Sequence, residues 1–111
     1  MQEITDEFMR QMLPAAKPYS IVILKAGPNR DSPGVEAIIW EHGRRNFALR
    51  ADGILSIACP VADGSPLNGI GIFSTGVAET AAIMEKDPGV QAGVFTFEVH
   101  PSRSFPGDCL P

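Results

Sequence analysis

What this chain lacks excludes several function classes at once. It has no run of five like charges and no lysine-rich stretch, and its 9 basic against 13 acidic side chains leave a formal charge of −4. The electrostatic footprint of a nucleic-acid binder is missing, so no nucleic-acid partner is expected. No apolar run approaches the ~18 residues of a membrane span, so no membrane partner is expected either. The opening residues Met1, Gln2, Glu3, Ile4, Thr5, Asp6 and Glu7 have neither the basic start nor the apolar stretch of a signal peptide, and a cytoplasmic location is expected. Cysteine is scarce. Cys59 and Cys109 are not spaced as a metal-binding pair and are too few for a disulfide framework, which makes free thiols the expectation.

What is present describes one globular domain: 111 residues, 44% of them hydrophobic. A domain of this size buries roughly two-thirds of its unfolded surface, enough for a core of modest stability, which leaves room for stabilisation by a second copy.

Proline and glycine divide the chain. Residues 1–17 carry Ile4, Phe8 and Met12 four apart, one face of a short helix ended by Pro14, and read as an N-terminal arm. Tyr19 to Ala26, rich in β-branched residues and closed by Gly27-Pro28-Asn29, reads as a strand apolar on both faces. Val35, Ile38, Ile39, His42, Asn46 and Leu49 then repeat at helical spacing up to a glycine cap near Asp52-Gly53. Ile54 to Val61 and Leu67 to Ser74 read as strands joined by the turn Ala62–Pro66, and a second helix carries Val77, Thr80, Ala81, Ile83 and Met84 up to the stop Asp87-Pro88-Gly89. Val94 to His100 supplies a last strand of an 18–101 core, and the proline-rich tail from Pro101 reads as coil.

Strand, helix, strand, strand, helix, strand is the ferredoxin-like α+β plan, a four-stranded antiparallel sheet with both helices on one face. Its other face would be apolar and open in a monomer, so a homodimer is expected.

On the first long helix, successive residues advance by ~100°, so Val35, Ile38, Ile39, Asn46 and Leu49 all fall within about 60° of His42. A polar ring at the centre of a buried face needs a hydrogen-bond partner, a ligand or a water. A backbone carbonyl or Asn46 would satisfy it structurally, and Asp87 would likewise be an ordinary helix stop. The topology adds a further reading. His42, Asp87 and Cys59 all come to the same end of the fold, and a carboxylate beside an imidazole orients its tautomer for general acid or base work. Glu41, His42 and Asp87 match no metal spacing, and Gly27-Pro28 and Gly69-Ile70-Gly71 are not phosphate loops. Neither a metal nor a nucleotide cofactor is expected.

His42, Gly53 eleven residues later, Leu55, the strand end Ala58-Cys59-Pro60, then Asp87-Pro88, Val90, Ala92-Gly93 and His100-Pro101 together resemble the YCII-related proteins of the dimeric α+β barrel superfamily. The resemblance runs from Pro18 onward. It implies a homodimer of ferredoxin-like subunits whose pocket holds a His and Asp pair, mapping onto His42 and Asp87. Some members of that family are linked to dehydrochlorination of chlorinated hydroxyquinols, and superfamily relatives isomerise lactones or oxidise aromatic substrates without a metal. This chain departs from the pattern at Cys59, where glycine is usual, and at Ser102, where an aromatic is common. Cys59 is then either a substrate-contacting thiol or a small core residue.

The expectation is a small-molecule enzyme, a lyase, isomerase or dehydrochlorinase acting on a small organic acid or phenol, with His42 moving the proton and Asp87 orienting it. The alternative is a non-catalytic ligand-binding or assembly module with a structural His42. Trp40 and Phe47 lie roughly 140° to 160° from His42, on the outer side of the helix. The arm's stripe of Ile4, Phe8 and Met12 is expected to cover them, from its own or a neighbouring subunit.

Overall fold

Alternation along one strand sets the two layers of the molecule. The computed structural model describes residues 1–111, and β1 (Lys17–Ala26) buries Ser20, Val22 and Leu24 while Tyr19, Ile21 and Ile23 between them stay half-buried. Strand side chains point to opposite faces in turn, so the first set meets the helices and the second lines an open face. After a helical arm, α1 (Asp6–Met12), the elements are β1, α2 (Val35–Ala51), β2 (Leu55–Pro60), β3 (Leu67–Phe73), α3 (Val77–Glu85), α4 (Pro88–Gln91) and β4 (Phe95–Ser104). The sheet order is β2-β3-β1-β4 with every neighbouring pair antiparallel. From β1 onward this is the expected ferredoxin-like βαββαβ sandwich, with α4 as one extra turn.

The core joins the layers. Val35 and Leu49 of α2 and Met84 of α3 pack with Val22, Leu24, Leu55, Phe73, Val94 and Phe95. The glycine cap of α2 is as expected: Gly53 has φ 75°, and the amide of Ile54 reaches back to the Leu49 carbonyl at 2.9 Å.

Three boundaries differ from the sequence reading. The tail does not become coil at Pro101, because β4 continues to Ser104 and pairs Ser20 with Pro101 and Lys17 with Ser104. A proline is tolerated there because β4 is an edge strand, with one side free of ladder bonds. The same pairing takes Lys17 out of the arm and into β1. Finally, Asp87 is not the last residue of α3, which ends at Glu85; it stands between helices and caps α4.

The arm also departs from expectation. Thr5 caps α1 by accepting from the Phe8 amide at 3.1 Å, yet no residue of α1 is buried. Trp40 and Phe47 are 70% and 69% exposed. Within one subunit the arm therefore does not cover them; its seven-residue helix is followed by a single 3-10 turn, Leu13–Ala15, before β1 begins.

The first strand ends in a close approach that holds the α4 segment in place. The Gly27 amide donates to Val94 O at 2.8 Å, and a Cβ at Gly27 would lie 2.3 Å from the Gly93 carbonyl oxygen. Backbone cannot yield cheaply there, so Gly27→Ala is expected to lower unfolding free energy by about 1–3 kcal/mol in urea titrations. An unchanged midpoint would show that the two turns are free to separate.

Candidate active site

Asp87 is built into the backbone before it meets any other side chain. Proline after it disfavours the helical region, and Asp87 sits at φ −67°, ψ 132°, outside α3. From there its Oδ2 accepts from the amides of Gly89 at 2.9 Å and Val90 at 3.2 Å, capping α4, whose first residue is Pro88. Gly89 is required by space: a Cβ would fall 2.5 Å from Phe95 Cδ2 and 3.0 Å from Asp87 Oδ2. The Phe95 ring in turn packs against His42, with ring centroids 4.7 Å apart.

α2 brings His42 to this carboxylate. Nδ1 lies 2.8 Å from Asp87 Oδ1 and 2.9 Å from Oδ2, with the two side chains 12% and 1% exposed. An ionised carboxylate only accepts, so Nδ1 carries the proton and donates it, which leaves Nε2 of the neutral ring unprotonated and able to accept. Asn46, one helical turn on, has its Nδ2 3.3 Å from that nitrogen and donates to it. The pairing expected from topology is present, and Asn46 joins it rather than replacing it. A cation also faces this carboxylate: Arg45 Nη1 is 3.9 Å from Asp87 Oδ1, an attraction beyond hydrogen-bond reach, and this nitrogen is buried without another partner.

His42 and Asn46 border a cavity of about 820 Å³ lying between α2 and the sheet, and Asp87 stands outside it, behind the imidazole. The room arises in β3. Gly69 and Gly71 pair with Leu24 and Val22, so they fall on the helix-facing side where a larger residue would fill the space. Gly71 serves packing as well, since a Cβ there would be 3.0 Å from the Phe73 ring.

Cys59 borders the same cavity, but its side chain belongs to the other layer. Leu55 pairs with Phe73 and Ile57 with Ile72, a register shift at Ser56 that marks a β-bulge. Beyond it Cys59 pairs with Ile70, which itself pairs with the open-face residue Ile23. The bulge thus turns the exposed thiol of Cys59 away from His42 and gives Ala58 and Pro60 to the helix-facing side. Without the extra residue the alternation would have placed Cys59 with Leu55.

Several residues here were not singled out from sequence. Arg45 is three positions after His42 and so shares its side of the helix, a spacing that was available. Gly89, Phe95 and Arg30, another cavity residue, carry no periodic signal; their roles follow from tertiary approach alone.

Because the Asp87 carboxylate both caps α4 and holds a ring on α2, its removal strands a buried donor and two amides. Asp87→Ala is expected to cost about 3 kcal/mol or more by chemical denaturation. A loss under about 1 kcal/mol would mean that the pair contributes little to holding the helices together.

No family model and no curated protein matches the chain. Among solved structures, it is similar to the 5-chloro-2-hydroxyhydroquinone dehydrochlorinase TftG from Burkholderia phenoliruptrix AC1100, in complex with 2,5-dihydroxybenzoquinone. The TM-score is 0.48 and the identity 17%, over 76% of this chain and 91% of that chain.

Proposed function

We propose that the chain is a small-molecule enzyme in which His42 Nε2 takes a proton from a substrate in the cavity and Asp87 steadies the imidazolium that results. The observation that carries this reading is the bond from Nδ1 to a fully buried carboxylate, with His42 at a cavity wall. The proton leaves a C–H or O–H of the substrate for Nε2. It then returns to a different atom of the same molecule, an isomerisation, or goes to solvent as a leaving group such as chloride departs with its electron pair, an elimination. A small organic acid or phenol, chlorinated ones included, suits this chemistry. Cys59 contributes to the cavity's rim rather than to the proton path.

A panel of small carboxylic acids and hydroxylated aromatics, incubated with the protein in D2O and followed by NMR for deuterium uptake and by chloride release, tests this. His42→Gln, whose side-chain amide can still donate to Asp87, is expected to abolish turnover of any responding compound. Asp87→Asn should lower it by about 10³-fold. An asparagine has one oxygen; if that oxygen caps α4, the amide nitrogen faces Nδ1 and forces the proton onto Nε2. Full activity in both variants would contradict the role given to the pair, and no turnover of any compound by the wild type would instead support a binding module. One observation favours that second reading: the same bond ties α2 to the cap of α4, a structural role complete in itself.

The homodimer belongs to this proposal. Tyr19, Ile21, Ile23, Ile57, Ile70 and Ile72 share the open face by register, with Glu98, His100 and Ser102 of β4 along its edge, and the apolar part of such a face is stable when buried against a second copy. The arm's exposed stripe is then free to reach Trp40 and Phe47 of a neighbouring subunit. The exposed free thiols Cys59 and Cys109 fit a reducing, cytoplasmic setting, and no helix is long and apolar enough to cross a membrane. Sedimentation at micromolar concentration is expected to give about twice 11.9 kDa. Ile21→Asp should shift it toward the monomer, and a wild-type monomer would contradict the packing of open faces.

A further inference from the structure

The cavity holds cations that the proton chemistry does not use. Arg30, in the loop after β1, is half-buried and borders the same cavity as His42. Its Nε donates to Asn68 Oδ1 at 3.0 Å, and Asn68 is itself oriented, because its Nδ2 donates to the Pro66 carbonyl at 3.2 Å. The Asn68 carbonyl also accepts from the Val61 amide at 2.9 Å, so the residue is fixed at the β2–β3 hairpin. This holds the plane of the Arg30 guanidinium. Its two terminal nitrogens bond to no other residue, and a planar fork with two free N–H edges is the geometry that takes an oxyanion in a bidentate pair.

The surroundings carry the same sign. Arg50 also borders the cavity and is unpaired, and Asp108, on the C-terminal segment, is the only carboxylate among the lining residues. Two arginines against one carboxylate leave the lining of this largely apolar cavity at +1, in a chain whose formal charge is −4.

We propose that Arg30 is the anion anchor of this site, so that the cavity takes a small, mainly apolar molecule bearing one carboxylate, whose body then lies against His42. The inference rests on the proposed acid/base reading only for what happens at the His42 end. Anion binding itself needs Arg30 and the orientation given to it by Asn68.

The test uses the full-length chain and a panel of carboxylates, benzoate, 2-hydroxybenzoate and short 2-oxo acids, each beside its neutral amide, with affinities from NMR titration. At least one carboxylate is expected to bind about tenfold or more tightly than its amide. Arg30→Gln should remove that preference and leave amide binding unchanged, while Arg30→Lys should keep part of it, since a point charge replaces the fork. Arg50→Gln, which alters a more exposed and unoriented cation, should change carboxylate affinity by less than about threefold. Phenyl phosphate and phenol, run alongside, separate a carboxylate site from one for any oxyanion. A wild type that binds no carboxylate more tightly than its amide, or an Arg30→Gln protein that keeps the preference, overturns the proposal, as does a stronger response to phenyl phosphate than to benzoate. Arg30-dependent binding without any His42-dependent turnover would sink the enzyme reading alone. Turnover of neutral phenols unaffected by Arg30→Gln would sink the anchor alone.

Discussion

The bond between His42 and Asp87 is the constraint around which this end of the molecule is organised. A carboxylate that is 1% exposed must have its oxygens occupied, since a lone buried charge is costly. Two amides at the start of α4 take one oxygen and the imidazole on α2 takes the other. Each partner is supported from behind. Asp87 is held extended by the proline after it, and His42 rests on the Phe95 ring, which has space because residue 89 is glycine. The consequence for chemistry is directional: the protonated nitrogen of the ring is committed inward, and its unprotonated nitrogen belongs to the cavity side.

The cavity exists for a second reason, independent of that pair. Two glycines on β3 remove side chains from the sheet surface beneath α2, and the bulge at Ser56 sends Ile57 and Cys59 to the opposite layer. Larger helix-facing residues on β2 and β3 would have filled the space and produced an ordinary core. The layer assignment also supplies the open face, since the bulge adds Ile57 to the isoleucines of β1 and β3.

How much of this was legible depended on the range of the interaction. The periodicity of α2 placed His42 at the centre of its inward face, and counting strand directions brought Asp87 to the same end, so both members of the pair were readable from local pattern and topology. Counting strand directions also brought Cys59 to this cavity, but the layer its side chain joins was not readable, because a bulge changes parity without any marked change in composition; Ser56 looks like any other strand residue. The continuation of β4 through Pro101 was hidden for a related reason: a proline stops a central strand but not an edge, and which strand is the edge is a tertiary fact. Arg30 sits in a loop with no period to read, and its significance comes only from Asn68, 38 residues away in sequence. Trp40 and Phe47 were read correctly as lying off the core face, while their expected cover within one subunit was not found: both are exposed, and no residue of the arm's helix is buried.

The central claim is that His42 in its neutral form keeps its proton on Nδ1, toward Asp87, and leaves Nε2 unprotonated, accepting from Asn46. Two-dimensional 15N–1H NMR of the imidazole side chains reads this directly, with the exposed His100 as the internal comparison. The account predicts that neutral His42 shows a protonated Nδ1 and an unprotonated Nε2, and that Asp87→Asn reverses or mixes the two forms. A wild-type His42 protonated on Nε2, or an equal mixture of tautomers unaffected by Asp87→Asn, would contradict it.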